Sequence, residues 1–264
     1  MITVSQLWRY PFKSGAGQLI DSTRVDAEGL SGDRRLLALD DEGVFVTARR
    51  HPGLLHLSCE ETPDGWRLSH PDQGSHFDVM RNELDAVVSG TLWKDEIEGF
   101  DAGDEAAHWL SKALDKRVRV VVWRDQSRFA NKYGLQTTFS DASPILLASE
   151  ASVQQACDWA GIPPDTRRFR PNIVVTGVEA FAEDGWREID IGGVRFEVLD
   201  TCVRCVLTTI DPDTIERHPS NEPVRSLMQQ HASESGQPLF GINVKAVNPS
   251  ASAVIACGDS VQCR

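Results

Sequence analysis

Two things are scarce in this 264-residue chain: long apolar runs and positive charge. No stretch approaches the ~20 consecutive apolar residues that a membrane-spanning helix needs. The opening residues, MITVSQLWRYPFKSG, show no basic segment leading into an apolar one, so no signal peptide is expected. Lys and Arg number 27 against 39 Asp and Glu, a formal net charge of −12. Gripping a phosphate backbone takes a broad basic face, and no Lys/Arg stripe interleaved with aromatics is present, which excludes nucleic-acid partners. Low-complexity tracts and internal repeats are missing too. So are the signatures GxGxxG, GxxxxGK[ST] and HExxH, and the GxSxG elbow. What remains, 41% hydrophobic and 25% charged, reads as a soluble cytoplasmic protein with no membrane partner. Its six cysteines are then expected to be reduced.

Short strands joined by turns dominate the pattern. RRLLALDDEGVFVTAR predicts a hairpin through a D-D-E-G turn, with Val44, Val46 and Ala48 alternating. LLHLSCEETPDGWRLSH repeats the design with a T-P-D-G turn, and residues 89–99 add a further strand region. GDEAAHWLSKALDK places Ala106, Ala107, Leu110, Ala113 and Leu114 on one helical face. In SPILLASEASVQQACDWAG a strand leads to Ser149 as N-cap, and Gly161 ends the helix. Cys157 lies on its apolar face as core. Strands return in RPNIVVTG, WREIDIGGVRFEVLD, VLTTID, NVKAVNP and SAVIACGDSVQC, interrupted by the helix EPVRSLMQQHA. The expected fold is α+β, predominantly β: two barrel-like domains with inserted helices, one over 1–120 and one over 121–264.

The chemistry-bearing motif is LDTCVRCVLTTIDPDT, with Cys202, Arg204 and Cys205 between two strand-like runs. Four readings stand open: half of a zinc site, a dithiol switch, a cofactor thiolate, or buried cysteines without chemistry. A zinc site would need Cys257 and Cys263 as its other half. A dithiol switch would need a helix after Cys205 to activate the thiol, and VLTTID is β-branched. Arg204 suits a thiolate neighbour or an anion. Polar clusters recur at strand ends: Lys13 and Ser14, Arg34, Asp141 and Ser143, Arg170 and Asn172. Together they could build one basic pocket for a phosphate ester.

YPFKS, GLSGDRR, FVTARR, FSDASP, RFRPNIVV, CVRCVLTTIDPDT and PLFGINVKAVNP stand in an order that resembles the molybdenum-cofactor sulfurase C-terminal (MOSC) family. The likeness is to its branch with an N-terminal β-barrel domain, which includes the mitochondrial amidoxime-reducing and bacterial YcbX-type proteins. The resemblance implies a pyranopterin molybdenum cofactor between the two domains, with Cys205 as the protein's metal ligand and Asp141 as an acid near the metal. It implies that Lys13, Ser14, Arg34, Ser143, Arg170, Asn172, Val203, Arg204 and Asn243 line the cofactor. Val203 departs from the polar residue, and Asn243 from the tyrosine, of the mitochondrial branch. The implied activity is reduction of small N-hydroxylated compounds such as amidoximes and hydroxylamines. No ferredoxin segment follows, so electrons are expected from a separate protein of ferredoxin or flavoprotein reductase type. The alternative is a cofactor or sulfur carrier that uses Cys205 without turnover.

Overall fold

The structure, a computed structural model, describes residues 1–125 and 128–264. It forms two compact units. The first comprises Met1–Arg9, Leu19–Ser31 and Ser143–Arg264, and the second Tyr10–Gln18 and Gly32–Ala142. Both are mostly β with few helices, as the turn-rich pattern predicts.

The main sheet of the first unit runs Gln18–Ile20, Thr3–Arg9, Ile173–Thr176, Ile145–Ser149, Leu239–Ala246, Val194–Val203, Glu188–Ile191, Val261–Cys263. The start of Thr3–Arg9 also meets the chain at the far end of that order. Val4 N donates to Asp259 O and Val261 N to Ile2 O, so the sheet closes on itself and leaves no open edge there. Alternate residues point inward: Val4, Leu7, Ile145, Leu147, Ile173, Val175, Phe196, Ile242 and Val244 form one buried cluster. The Gly192–Gly193 turn joins Glu188–Ile191 to Val194–Val203 in register, as read from the sequence. One connection is a helical crossover. The helix Glu150–Ala160 links Ile145–Ser149 to the parallel strand Ile173–Thr176. Ser149 accepts from Ser152 N at its start, Gly161 is left-handed at its end, and Val153, Ala156 and Cys157 are buried. Cys157 is therefore core, as expected.

In the second unit Leu36–Leu39, Arg119–Trp123, Asp95–Asp101 and Val87–Leu92 form a four-stranded sheet. The segment after the D-D-E-G turn is not the full second strand expected. It makes single bridges to both edges of the sheet, Phe45 to Leu39 and Val44 to Thr91. Val46 and Ala48 are buried, while Val44 is exposed. The hairpin Ser58–Thr62 with Gly65–Ser69 extends to Phe77–Met80 as a three-stranded sheet. Gly65 is required there, since a Cβ would come within 1.9 Å of Val79 O. Helix Gly103–Leu114 buries Ala106, Trp109, Leu110 and Ala113.

Candidate functional site

In the second unit the YPFKSG segment is pinned by Lys13 N donating to Leu36 O at 2.7 Å. The Lys13 side chain is buried, and its ammonium donates to Phe139 O and Asp141 Oδ1, each at 2.8 Å. The same Oδ1 accepts from Trp93 Nε1 at 2.8 Å. The Arg49 guanidinium lies 4.1 Å over the Trp93 ring, and Phe45 meets that ring edge-on at 4.6 Å. Burial lowers the Lys13 pKa to about 8, with the Asp141 charge opposing part of that shift. The Asp141 side chain keeps 64% of its surface. Partial desolvation pulls its carboxyl up, but the Lys13 ammonium, the Trp93 N–H and the Arg49 charge outweigh this and hold it well below the usual carboxylate range. At neutral pH Asp141 is thus an acceptor, and Lys13 carries the proton.

Arg128 fixes this arrangement, and nothing in the sequence singles it out. Its fully buried guanidinium donates to the carbonyls of Thr138 (2.9 Å), Ser140 and Asp141 (2.6 Å), with Asp95 Oδ2 as counter-ion at 2.8 Å. Thr137 and Ser140 hydroxyls meet at 2.6 Å across the same turn. Arg34 pairs with Asp33 and lies 4.4 Å over the Tyr10 ring. Ser14 is buried, and both Ser14 and Arg34 have left-handed backbone, φ +66° and +47°. Trp93, at φ +60°, does too. Such conformations are costly for residues with a Cβ, and they cluster where function constrains the chain.

In the first unit two details around the cysteines differ from expectation. Strand Val194–Val203 does not end before Cys202 but runs through it. The residues after Cys205 are not a strand: Cys205 caps a short 3-10 helix, Val206–Thr209. The Thr208 and Thr209 hydroxyls donate back to Cys205 O (3.0 Å) and Val206 O (2.7 Å), local bonds that override β propensity. Arg204 Nη1 lies 3.1 Å from the Cys202 sulfur and Nη2 donates to Phe169 O at 2.5 Å. The guanidinium therefore sits beside Cys202 and against the turn that carries Arg170. That residue is left-handed (φ +55°) and follows the four-residue helix Thr166–Phe169, which Asp165 caps. Cys205 is half-buried, flanked by exposed Val203 and Val206.

The remaining candidates in this unit are held by backbone. Asn172 is buried; Oδ1 accepts from Leu146 N (3.2 Å) and Nδ2 donates to Trp8 O (3.2 Å). Ser143 Oγ bonds Ile145 O (3.0 Å) and Val244 O (3.2 Å). Asn243 donates to Asp200 at 2.7 Å and pairs with Leu146 in the sheet. Asn172, Leu146, Asn243 and Asp200 thus form one row across neighbouring strands.

Among the described residues no three His, Cys, Asp or Glu side chains come together as a metal-binding group. A four-ligand zinc site is not assembled: Cys257 is exposed and Cys263 lies in the last strand, paired with Ile189. A centre that brings its own sulfur ligands needs only one protein thiolate, and Cys202 and Cys205 are two half-buried free thiols at this strand end. Among the described residues no helix is long and apolar enough to cross a membrane.

An N-terminal half-barrel followed by a C-terminal barrel with this cysteine motif defines a class, and family models name it. The MOSC N-terminal beta barrel domain matches residues 1–117 and the MOSC domain residues 134–262. Mitochondrial amidoxime reducing component 2 of Bos taurus is 36% identical over 266 residues, covering 91% of this chain and 77% of that protein. Mitochondrial amidoxime-reducing component 1 of Homo sapiens is 34% identical over 279 residues, covering 98% and 82%. A solved structure, the YUAD protein of Bacillus subtilis, aligns over 99% of this chain and 94% of its own, at 14% identity and a TM-score of 0.47. The chain belongs to the MOSC-domain family, and it is homologous over its length to the mitochondrial amidoxime-reducing components.

Proposed function

We propose that this protein is a molybdenum-cofactor-dependent reductase that converts N-hydroxylated compounds to their N–H forms, with electrons from a separate redox protein. The observation that carries the reading is the half-buried Cys205 thiol, presented on a short loop between exposed Val203 and Val206, in a chain homologous to amidoxime-reducing components. When bound, the cofactor supplies the two-electron chemistry. Cys205 would hold its metal as a soft thiolate. Lys13, Ser14, Arg34, Arg170 and Arg204 are the residues that the family likeness offers to its phosphate and pterin. Lys13 brings a buried positive charge to this cluster, already held by Phe139 O and Asp141.

Reduction of N–OH to N–H consumes two electrons and two protons and releases water. Asp141, ionised and largely exposed, accepts a hydrogen bond from the substrate's N–H or O–H and orients it. Lys13 Nζ, 2.8 Å from Asp141 Oδ1 and with a pKa of about 8, holds a proton that the carboxylate can relay toward the departing oxygen. This division of labour differs from a simple acid at Asp141.

The experiment is metal analysis and turnover on protein from a molybdenum-replete host. Stoichiometric molybdenum with amidoxime reduction by reduced viologen supports the reading. Molybdenum-loaded protein that is inert across several N-hydroxylated substrates contradicts it and favours the carrier role.

A further inference from the structure

His231 follows helix Val224–Gln230 as its C-terminal cap, with its backbone N–H on Leu227 O at 2.8 Å. Both ring nitrogens meet oxygen. Nε2 lies 2.6 Å from Asp184 Oδ2, and Nδ1 lies 3.0 Å from Leu239 O. A carbonyl has no proton to give and a neutral imidazole has only one. The geometry therefore requires an imidazolium facing a carboxylate, or a neutral ring facing a protonated acid. The bond to Asp184 raises the His231 pKa above its usual 6.5, against the opposing pull of burial, which favours the imidazolium. Phe181 stacks on the imidazole at 4.0 Å, and Trp159 stacks on Phe181 at 5.1 Å.

The charged groups around this ring are few. The 182–185 turn contributes Asp184 and the buried Glu183, whose carboxyl burial pushes up. On the helix before His231, Arg225 is paired with Glu222; on strand Leu239–Ala246, Lys245 is paired with Glu197. On helix Glu150–Ala160, Asp158 is bonded to Gln154, and Glu234 in the following loop is exposed.

The path away from the ring leads to the cysteine loop. Leu239 N donates to His231 O at 3.0 Å, so His231 engages both backbone polar groups of Leu239. The C=O of the same Pro238–Leu239 peptide accepts from Arg204 N at 2.8 Å, and Leu239 faces Val203 across the sheet. The Pro238–Leu239 peptide thus lies between the His231 backbone carbonyl on one side and the residue before Cys205 on the other, while the His231 ring holds the next carbonyl along, Leu239 O.

We propose that His231, protonated and held by Asp184, is a positioning residue for the Arg204–Cys205 segment, its ring acting on Leu239 O and through Leu239 on the Pro238 carbonyl that Arg204 N bonds. It touches neither the thiol nor a substrate. Loss of its proton sets a lone pair against one of its two oxygen partners, loosens Leu239, and passes the change to the backbone that carries the Cys205 sulfur. The functional weight of this clamp rests on the reading of Cys205 as the cofactor thiolate; the coupling itself does not.

The test follows backbone amides of the full chain by NMR from mildly acidic to mildly alkaline pH, beside the pH profile of reductase turnover. In the wild type the Arg204 and Cys205 amides titrate with the His231 ring, at a midpoint above 6.5. In Asp184→Asn both transitions move down together toward that value, and the alkaline limb of kcat moves with them while KM changes little. In His231→Gln the pH dependence of the two amides disappears. Arg204 and Cys205 amides that stay flat through the His231 transition, or a transition that does not move in Asp184→Asn, overturn the proposal. Co-titrating amides in a protein without reductase activity would uphold the clamp and sink the reductase reading instead.

Discussion

The Lys13–Asp141 cluster and the Cys202–Cys205 loop are built in opposite ways. In the cluster charge is buried and paired: an ammonium on a carbonyl and a carboxylate, a carboxylate with two donors on one oxygen, and a guanidinium gathering three carbonyls and a counter-ion. In the loop the Cys205 sulfur stands just past the end of a strand, half-buried, with its neighbours Val203 and Val206 turned to solvent. One region is an electrostatic frame fixed before any ligand arrives. The other offers a soft ligand whose position is set indirectly, through backbone bonds such as Arg204 N to Pro238 O. Burial and pairing mark the frame, while reactivity sits where they are relaxed.

The comparison breaks most visibly at the loop. Cys205→Ser replaces a soft thiolate by a hard alcohol, and reductase turnover is expected to vanish. Cys202→Ser is nearly isosteric and keeps an acceptor for Arg204, so most turnover should remain. Steady-state assays of the two variants decide this, and equal loss in both would return the dithiol reading. In the frame the largest effect is on stability. Arg128→Met takes the buried cation from Asp95, which Asn131 still bonds, and the donor from three carbonyls, which is expected to cost about 3–5 kcal/mol in urea unfolding. A cost within error of zero would mean that the frame is not preorganised.

A subtler change comes from Asp141→Asn. Removing the carboxylate takes away the partner that raises the Lys13 pKa, so that value should fall below about 8, read by NMR of the lysine ammonium. The sign on stability follows. Between its folded pKa of about 8 and its unfolded 10.5, Lys13 binds more protons in the unfolded chain, so stability rises with pH across that window. In the Asp141→Asn variant the window opens at lower pH. Asp141 acts at the other end: its depressed pKa gives stability that is present above 3.8 and lost as pH falls below it, and Asp141→Asn removes that acid limb. The smallest effect lies outside both regions. Ser149→Ala removes the cap of Glu150–Ala160 and should cost about 1 kcal/mol by thermal or urea melt, with turnover unchanged.

Elements with their own local chemistry are legible in the sequence. The Pro63–Asp64 turn, the Gly192–Gly193 turn and the Ser149-to-Gly161 helix follow from backbone preferences that neighbouring residues cannot hide. Val206–Thr209 reads as a strand and is not one, because side-chain hydroxyls, and not propensity, decide its conformation. Arg128 is invisible for another reason. Its partner Asp95 is 33 residues away, and only closure of the sheet and the 137–141 turn brings them together. The sequence marks Arg204 as a neighbour of sulfur, but which sulfur depends on the strand running on to Val203. Trp93 has no signal beyond its residue type, and its place over Asp141 depends on a left-handed backbone no motif announces.

The proposal stands on Cys205, and not Cys202, as the thiolate that would hold molybdenum. Molybdenum-edge absorption on the wild type and the two serine variants tests it most directly. The metal centre is expected to lose one sulfur neighbour in Cys205→Ser and to be unchanged in Cys202→Ser. The same sulfur count in wild type and Cys205→Ser, or a loss in Cys202→Ser alone, would contradict it.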